Sequence, residues 1–336
     1  MNTAKIIIIA IALITWALSV RAQNYADIQQ YSTPILLNPS FAGSTKGDRL
    51  TLSLISTRRK GTKSYLKFIS HDFFIKNKSL GIGIVGGVHM DYSIDTTYSY
   101  RENYQNVLSP FLEISGAKYI DKGRNRYLIP SITLGFRQPL KEYSLFLLDR
   151  FIKPGDNDAA PPGNSLIRAT ELVAGAGILF SDYHGSIGAS AKIRQSLVKN
   201  PNLVPEDYDI QDYSILIHAQ RIFTYYQRGL LSKAYLIRPK LVLHAAKESV
   251  QLFSELTVQR NKFETGIGFL PNFNTGNSRY SINLGYDFEY FKVNYLGSIL
   301  NEQGELTAPM HSIGVQVIFP ELKRYGIPVP ALIRHL

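Results

Sequence analysis

The sequence predicts an all-β chain closed into a transmembrane outer-membrane β-barrel of about 14 antiparallel strands. Three observations predict it: an export signal at the start, no later apolar run long enough for a membrane helix, and apolar residues alternating with polar ones in segment after segment. Composition agrees. Of the 336 residues, 12% are aromatic and only 19% are charged, below the roughly 25% charged residues of ordinary soluble domains. The mean hydropathy of −0.07 hides the pattern, because alternation cancels in any average. No cysteine is present, which excludes disulfide scaffolds, thiolate metal sites, cysteine nucleophiles and acylation of a lipoprotein cysteine. Anchoring must come from the fold itself.

Residues 1–22 read as a signal peptide. Lys5 precedes an apolar run from Ile6 to Leu18, and Val20-Arg21-Ala22 supplies small residues where signal peptidase cuts before Gln23. As a helix this run would reach only about 22 Å, short of the roughly 30 Å hydrocarbon core. The mature chain is then exported and basic, with a net charge of about +9. Residues 23–47 are expected to form an N-terminal periplasmic strap, 48–319 the barrel, and 320–336 a C-terminal periplasmic tail.

Within the barrel, strands are expected near 48–57, 64–74, 80–90, 98–113, 126–138, 170–180, 185–194, 213–224, 232–244, 248–258, 261–270, 279–289, 290–297 and 310–319. The alternation is clearest where Tyr280, Ile282, Leu284, Tyr286 and Phe288 interleave with Ser281, Asn283, Gly285, Asp287 and Glu289. Ile187, Ala189, Ala191 and Ile193 alternate in the same way with Gly188, Ser190, Lys192 and Arg194. Connections after odd strands include the long segments 139–169, 195–212, 271–278 and 298–309. Those after even strands are mostly short, 114–125 excepted, which is the asymmetry of external loops and periplasmic turns. The run from Gly81 to Gly87 would make a poor strand in a soluble core, but suits a wall facing a crowded lumen. Tyr280, Tyr290, Phe291, Tyr295 and Phe319 fall where interfacial aromatic girdles are expected.

The motif DIQQYSTPILLNPSFAG, from Asp27 to Gly43, is the most specific part of the chain. Pro34 and Pro39 fix φ and remove two donors, Asn38 before a proline is biased to extended geometry, and Gly43 permits φ > 0 or a close backbone approach. Such a segment is built to lie against something, either as a periplasmic or luminal strap that seals the barrel or as a docking site for a periplasmic partner.

This motif resembles the mature N-terminus of the PorP/SprF family of type IX secretion system membrane proteins. Gln29-Gln30-Tyr31 stands where the family usually has Phe-Ser-Gln-Tyr, and Ser40 replaces the usual alanine. Weaker matches follow at Leu80 to Ile84, Glu171 to Gly177, Tyr183 to Gly188 and Ser312 to Val315. The resemblance implies a non-enzymatic outer-membrane component of the type IX secretion and gliding motility machinery that binds or anchors a secreted, adhesin-type cargo. It implies periplasmic ring lipoproteins as further partners, with Gln30, Tyr31, Pro34, Asn38, Pro39 and Gly43 as partner-binding residues. The alternative function is a passive porin or solute channel.

Nothing points to catalysis or a cofactor. The seven histidines lack metal-ligand spacing, and no HExxH, Walker A or GxSxG motif occurs. His311 and Ser312, as strand neighbours, should face opposite sides. Export argues against a nucleic-acid partner for the basic charge. Arg58, Arg59, Lys60 and Lys63 fall in the first external turn, near anionic lipopolysaccharide. Lys192 and Arg194 should face the lumen, tuning anion selectivity or pairing with Glu255, Asp287 or Glu289. The acidic loop 199–212 matches no calcium-binding spacing.

Overall fold

Fourteen antiparallel strands close into one barrel in the computed structural model, which describes residues 33–45, 47–59, 62–94, 104–138, 140–143, 165–168, 170–197, 211–226, 234–246, 249–271, 278–288, 291–302 and 305–320. They are β1 (Gly47–Arg59), β2 (Thr62–Ile75), β3 (Leu80–Ile94), β4 (Tyr104–Lys118), β5 (Tyr127–Arg137), β6 (Glu171–Asp182) and β7 (Gly185–Ser196), then β8 (Gln211–Arg221), β9 (Ala234–Ala246), β10 (Ser249–Arg260), β11 (Phe263–Pro271), β12 (Ser278–Asp287), β13 (Phe291–Glu302) and β14 (Glu305–Pro320). Each strand pairs with the next, and β14 returns to β1 in continuous register from Gly47↔Pro320 to Thr57↔Met310. Closure leaves the wall without an edge strand, which a bilayer requires because it offers unpaired backbone groups no water. The β8–β9 ladder pauses once. It runs to Gln220↔Lys240 and resumes at Phe223↔Ile237, and the skipped stretch contains Pro239, which has no N–H to give.

The expected alternation is the wall. Outward-facing Leu52, Leu54, Ile69, Ile84, Ile132, Leu134, Ile178, Ile187, Ile217, Leu241, Ile267, Ile282 and Ile313 are all exposed, forming an aliphatic belt. Aromatic rings border it. Phe180, Tyr183, Phe223, Tyr225, Phe263, Tyr286, Phe288, Phe291 and Phe319 ring the end that carries the even-strand turns, and Phe136, Tyr213, Phe269 and Tyr280 lie toward the opposite, loop end. These are the girdles of a membrane barrel.

Three connections differ from expectation. β4 runs on to Lys118 and Ile120–Asp121 pairs back onto Leu128 and Tyr127, so the anomalous connection at 114–125 shrinks to a turn. The loop expected at 298–309 is instead a tight hairpin: β13 reaches Glu302 and β14 begins at Glu305, with a register shift between Ser298 and Leu300. Its polar ends mimic a loop because strands projecting past the hydrocarbon layer need no apolar face. The segment 139–169 begins and ends in a hairpin, Leu140–Tyr143 on Ser165–Arg168. The signal at 1–22, residues 23–32 with Gln30 and Tyr31, Lys60, Glu289, Tyr290, most of the acidic loop and the tail at 321–336 lie outside the described residues.

Candidate functional site: the plugged lumen

Residues 33–45 lie inside the barrel, at its turn end. Pro34 opens a single helical turn, α1 (Pro34–Leu37), where its missing N–H costs nothing. Asn38, held extended at φ −151° by the proline that follows, ends that turn and caps the next, its Oδ1 accepting from Ser40 N–H at 2.9 Å above the 3₁₀ turn Pro39–Phe41. Gly43, at φ +67°, then swings the chain toward β1. Proline, asparagine and glycine thus set the local turns of a compact plug.

The wall receives it through specific bonds. Asn38 Nδ2 donates to Ile178 O on β6 and Ala189 O on β7, both at 3.2 Å, and lies 3.1 Å from His218 Nε2 on β8. Ser40 Oγ meets Ser131 Oγ on β5 at 2.8 Å, and Ser190 Oγ donates to Leu37 O at 3.2 Å. The Tyr119 hydroxyl donates to Ala42 O at 2.8 Å. Burial, with the Asp72 carboxylate nearby, pushes that hydroxyl above the ordinary tyrosine range. Gly43 N–H donates to Asp72 Oδ1 at 3.1 Å, while Asp72 Oδ2 holds Arg49 Nε at 2.7 Å in a fully buried ion pair. Asn38 and Asp72 are both 0% exposed.

Glycines make the room. A Cβ on Gly81 would stand 1.9 Å from Ala42 O, and one on Gly83 2.0 Å from Ile35 Cδ1. On β6 and β7, a Cβ on Gly177 would stand 2.4 Å from Asn38 Oδ1, and one on Gly188 2.8 Å from Asn38 Nδ2. The glycine-rich strands and the N-terminal motif, read separately in the sequence, are two sides of one contact. This bears out the crowded lumen expected at Gly81 to Gly87.

Apolar side chains fill the next layer. Ile35, Leu36, Leu37 and Phe41 of the plug join inward-facing Ile55, Phe68, Val85, Phe111, Leu216, Val242, Phe253 and Met310 in one buried cluster. Beside the plug, facing β9–β14 and β1, remains a cavity of about 130 Å³ bordered by Thr33, Pro34, Leu37 and Phe41. Its far wall carries Arg238, Lys240, Lys292, Glu255 and Glu264 with Asn283, Asn294 and Gln316. Glu264 accepts from both Arg238 and Lys292, the latter at 2.7 Å, and Asn283 Nδ2 donates to Glu255 Oε1 at 3.2 Å.

Of the sequence-predicted site residues, Pro34, Asn38, Pro39 and Gly43 all come together in the plug. Lys192 and Arg194 face the lumen as expected. Lys192 pairs with Glu113 at 2.6 Å and not with Glu255 or Asp287, because the intervening strands present bare Gly135 and Gly175 over which the two side chains meet; Glu289 lies outside the described residues. His311 faces outward, 2.8 Å from the Tyr295 hydroxyl, while Ser312 is buried inward. The site residues not foreseen are His218, Tyr119, Asp72 and Arg49. Nothing local announced what they would meet, and Tyr119 fell within the connection expected at 114–125. Among the described residues no three His, Asp or Glu gather as a metal site.

An edgeless barrel with an aliphatic belt between aromatic girdles, filled from within by its own N-terminal segment, is a transmembrane protein of the outer membrane. No protein-family model matches the chain, and no curated protein does. Among solved structures it is similar to CdiB from Acinetobacter baumannii, at TM-score 0.46 and 8% identity over 81% of this chain, and it spans 60% of that protein's length. It is also similar to a Pseudomonas aeruginosa FadL homologue, at TM-score 0.46 and 8% identity over 84% of this chain and 93% of that one. A third is the P. putida toluene transporter TodX, at TM-score 0.46 and 10% identity over 85% and 93%. The assignment to barrels rests on the strand pairing above.

Proposed function

We propose that this outer-membrane barrel is a non-enzymatic component of the type IX secretion and gliding machinery that binds or anchors a secreted, adhesin-type cargo. The observation that carries the proposal is the docked plug. The residues that give the sequence its family resemblance, Pro34, Asn38, Pro39 and Gly43 with the glycine-rich strands, are the residues that fill and close the lumen. A lumen spent on its own N-terminus suits a barrel that holds a partner better than one that conducts solutes. By the rule that short turns face the periplasm, the plug closes the periplasmic mouth. In this proposal Gln30 and Tyr31, which precede the plug in the sequence, contact the periplasmic ring lipoproteins, while Pro34, Asn38, Pro39 and Gly43 hold the plug in place.

The second reading, a passive porin or solute channel, is favoured by the charged cavity beside the plug, which displacement of the plug would enlarge. Planar-bilayer recording and co-purification discriminate. A barrel silent in bilayers that co-purifies with a secreted protein supports the anchoring role, whereas large, steady currents from the wild-type protein support the channel. Asn38 and Gly43 variants that assemble fully but no longer secrete cargo would show that the segment does more than seal.

A further inference from the structure

The loop end of β1 and β2 carries an unusual outward face. Arg58 on β1 sits directly across from Lys63 on β2 in the strand register, and Lys67 follows Lys63 along the same face with Tyr65 between them. All three cations are exposed, and none has an acidic partner among the described residues. Like charges directly opposite on a sheet repel. Lys67 stands deeper still, its cross-strand neighbours being Leu54 and Val88, and a lipid-facing cation costs more the further it lies from the interface. Among the described residues nothing repays this arrangement. An anion at headgroup height would: the planar guanidinium of Arg58 matches a phosphate bidentately, Lys63 adds a point charge, and the Lys67 stem is long enough to carry its ammonium up to the same level.

We propose that Arg58, Lys63 and Lys67 form a site on the outer wall for the phosphate of a phosphorylated glycolipid, the anionic lipid of an outer membrane's external leaflet. Charge complementarity selects the headgroup, and the loop end is the external one by the asymmetry of turns and loops. The acyl chains would run along Leu52, Leu54 and Ile69, and the Tyr65 ring suits the layer between sugar and hydrocarbon. The inference stands apart from the cargo-binding proposal, since it uses neither the plug nor the lumen.

The full-length barrel in detergent is tested with three probes: bisphosphorylated lipid A, the same glycolipid with its phosphates removed, and phosphatidylglycerol. Retained lipid is counted by native mass spectrometry, and folding is checked by heat-modifiable mobility on gels. The bisphosphorylated glycolipid should bind at least about tenfold more tightly than either other probe. The Arg58→Gln/Lys63→Gln/Lys67→Gln variant should lose that preference, whereas Lys67→Arg should keep it. Lys67→Gln alone should weaken it and serves if the triple variant does not fold. Equal binding of the dephosphorylated lipid, or unchanged preference in the neutral variants, overturns the site. Phosphatidylglycerol binding as tightly as the glycolipid overturns the choice of lipid.

Discussion

Replacing Asn38 with alanine should undock the plug while leaving the wall intact. The side chain makes four polar contacts within 3.2 Å, to Ile178 O, Ala189 O, His218 Nε2 and Ser40 N–H. The amide has two N–H groups and one accepting oxygen, so three hydrogen bonds are lost; at about 1 kcal/mol net for each, the docked state should weaken by about 3 kcal/mol, a shift of roughly 10²-fold in the docking equilibrium. Asn38→Asp tests the geometry more sharply. It keeps the acceptor for Ser40 but sets a carboxylate oxygen where Nδ2 now donates to two carbonyls, so it should be at least as damaging. The cysteine-free chain offers a clean reporter, Ser44→Cys: Ser44 is buried, and its hydroxyl has no hydrogen-bond partner, so the exchange should itself be nearly neutral. Maleimide labelling of Cys at that position should be slow in the Asn38 background and accelerate by about two orders of magnitude in both variants, if docking limits access. A labelling rate unchanged by Asn38→Asp would refute the idea that a donor amide pins the plug to β6 and β7.

Gly81→Ala should lower the heat-unfolding temperature seen as a gel shift, by overpacking of about 1–3 kcal/mol against the plug backbone. Gly116→Ala, whose added methyl would meet nothing within 4 Å, should not. Arg49→Met should cost about 3–5 kcal/mol in chemical unfolding by stranding the buried Asp72 charge, and the double variant Arg49→Met/Asp72→Leu should cost less than the single one. Tyr119→Phe should cost about 1 kcal/mol at neutral pH through loss of the bond to Ala42 O. Because burial raises the Tyr119 ionisation in the folded barrel above the ordinary 10.0, the wild type should lose stability as pH rises past that value while the unfolded chain deprotonates, and Tyr119→Phe should lose less.

The wall was legible because a membrane barrel writes its fold in a local code: neighbours along a strand face lipid and lumen in turn, so Tyr280 to Phe288 and Ile187 to Arg194 declare both faces by themselves. Legibility failed where the membrane's demand stops. Asn301, Glu302 and Glu305 extend β13 and β14 beyond the aliphatic belt and read as loop, although the backbone stays paired. The plug was half legible. Proline, asparagine and glycine announced a rigid segment made to lie against a surface, and Gly81 to Gly87 announced a crowded place. That each is the other's partner depends on contacts such as Asn38 to Ile178 and Ala189, 140 and 151 residues apart, and no local pattern records those.

The position of the plug in the chain bears on how the protein is built. It directly precedes β1, the strand whose pairing with β14 seals the ring, yet its anchors lie on strands that follow it. Held at one end by β1, it is threaded least expensively before the seam is sewn, against a half-cylinder of β2 to β8 still open on one side. On that order of events the segment is a mandrel: the sheet curls around it, and the glycine notches at Gly81, Gly83, Gly177 and Gly188 set how tightly. A chain lacking residues 33–45 would then be expected to close slowly or in the wrong register, with an assembly defect out of proportion to the few residues lost.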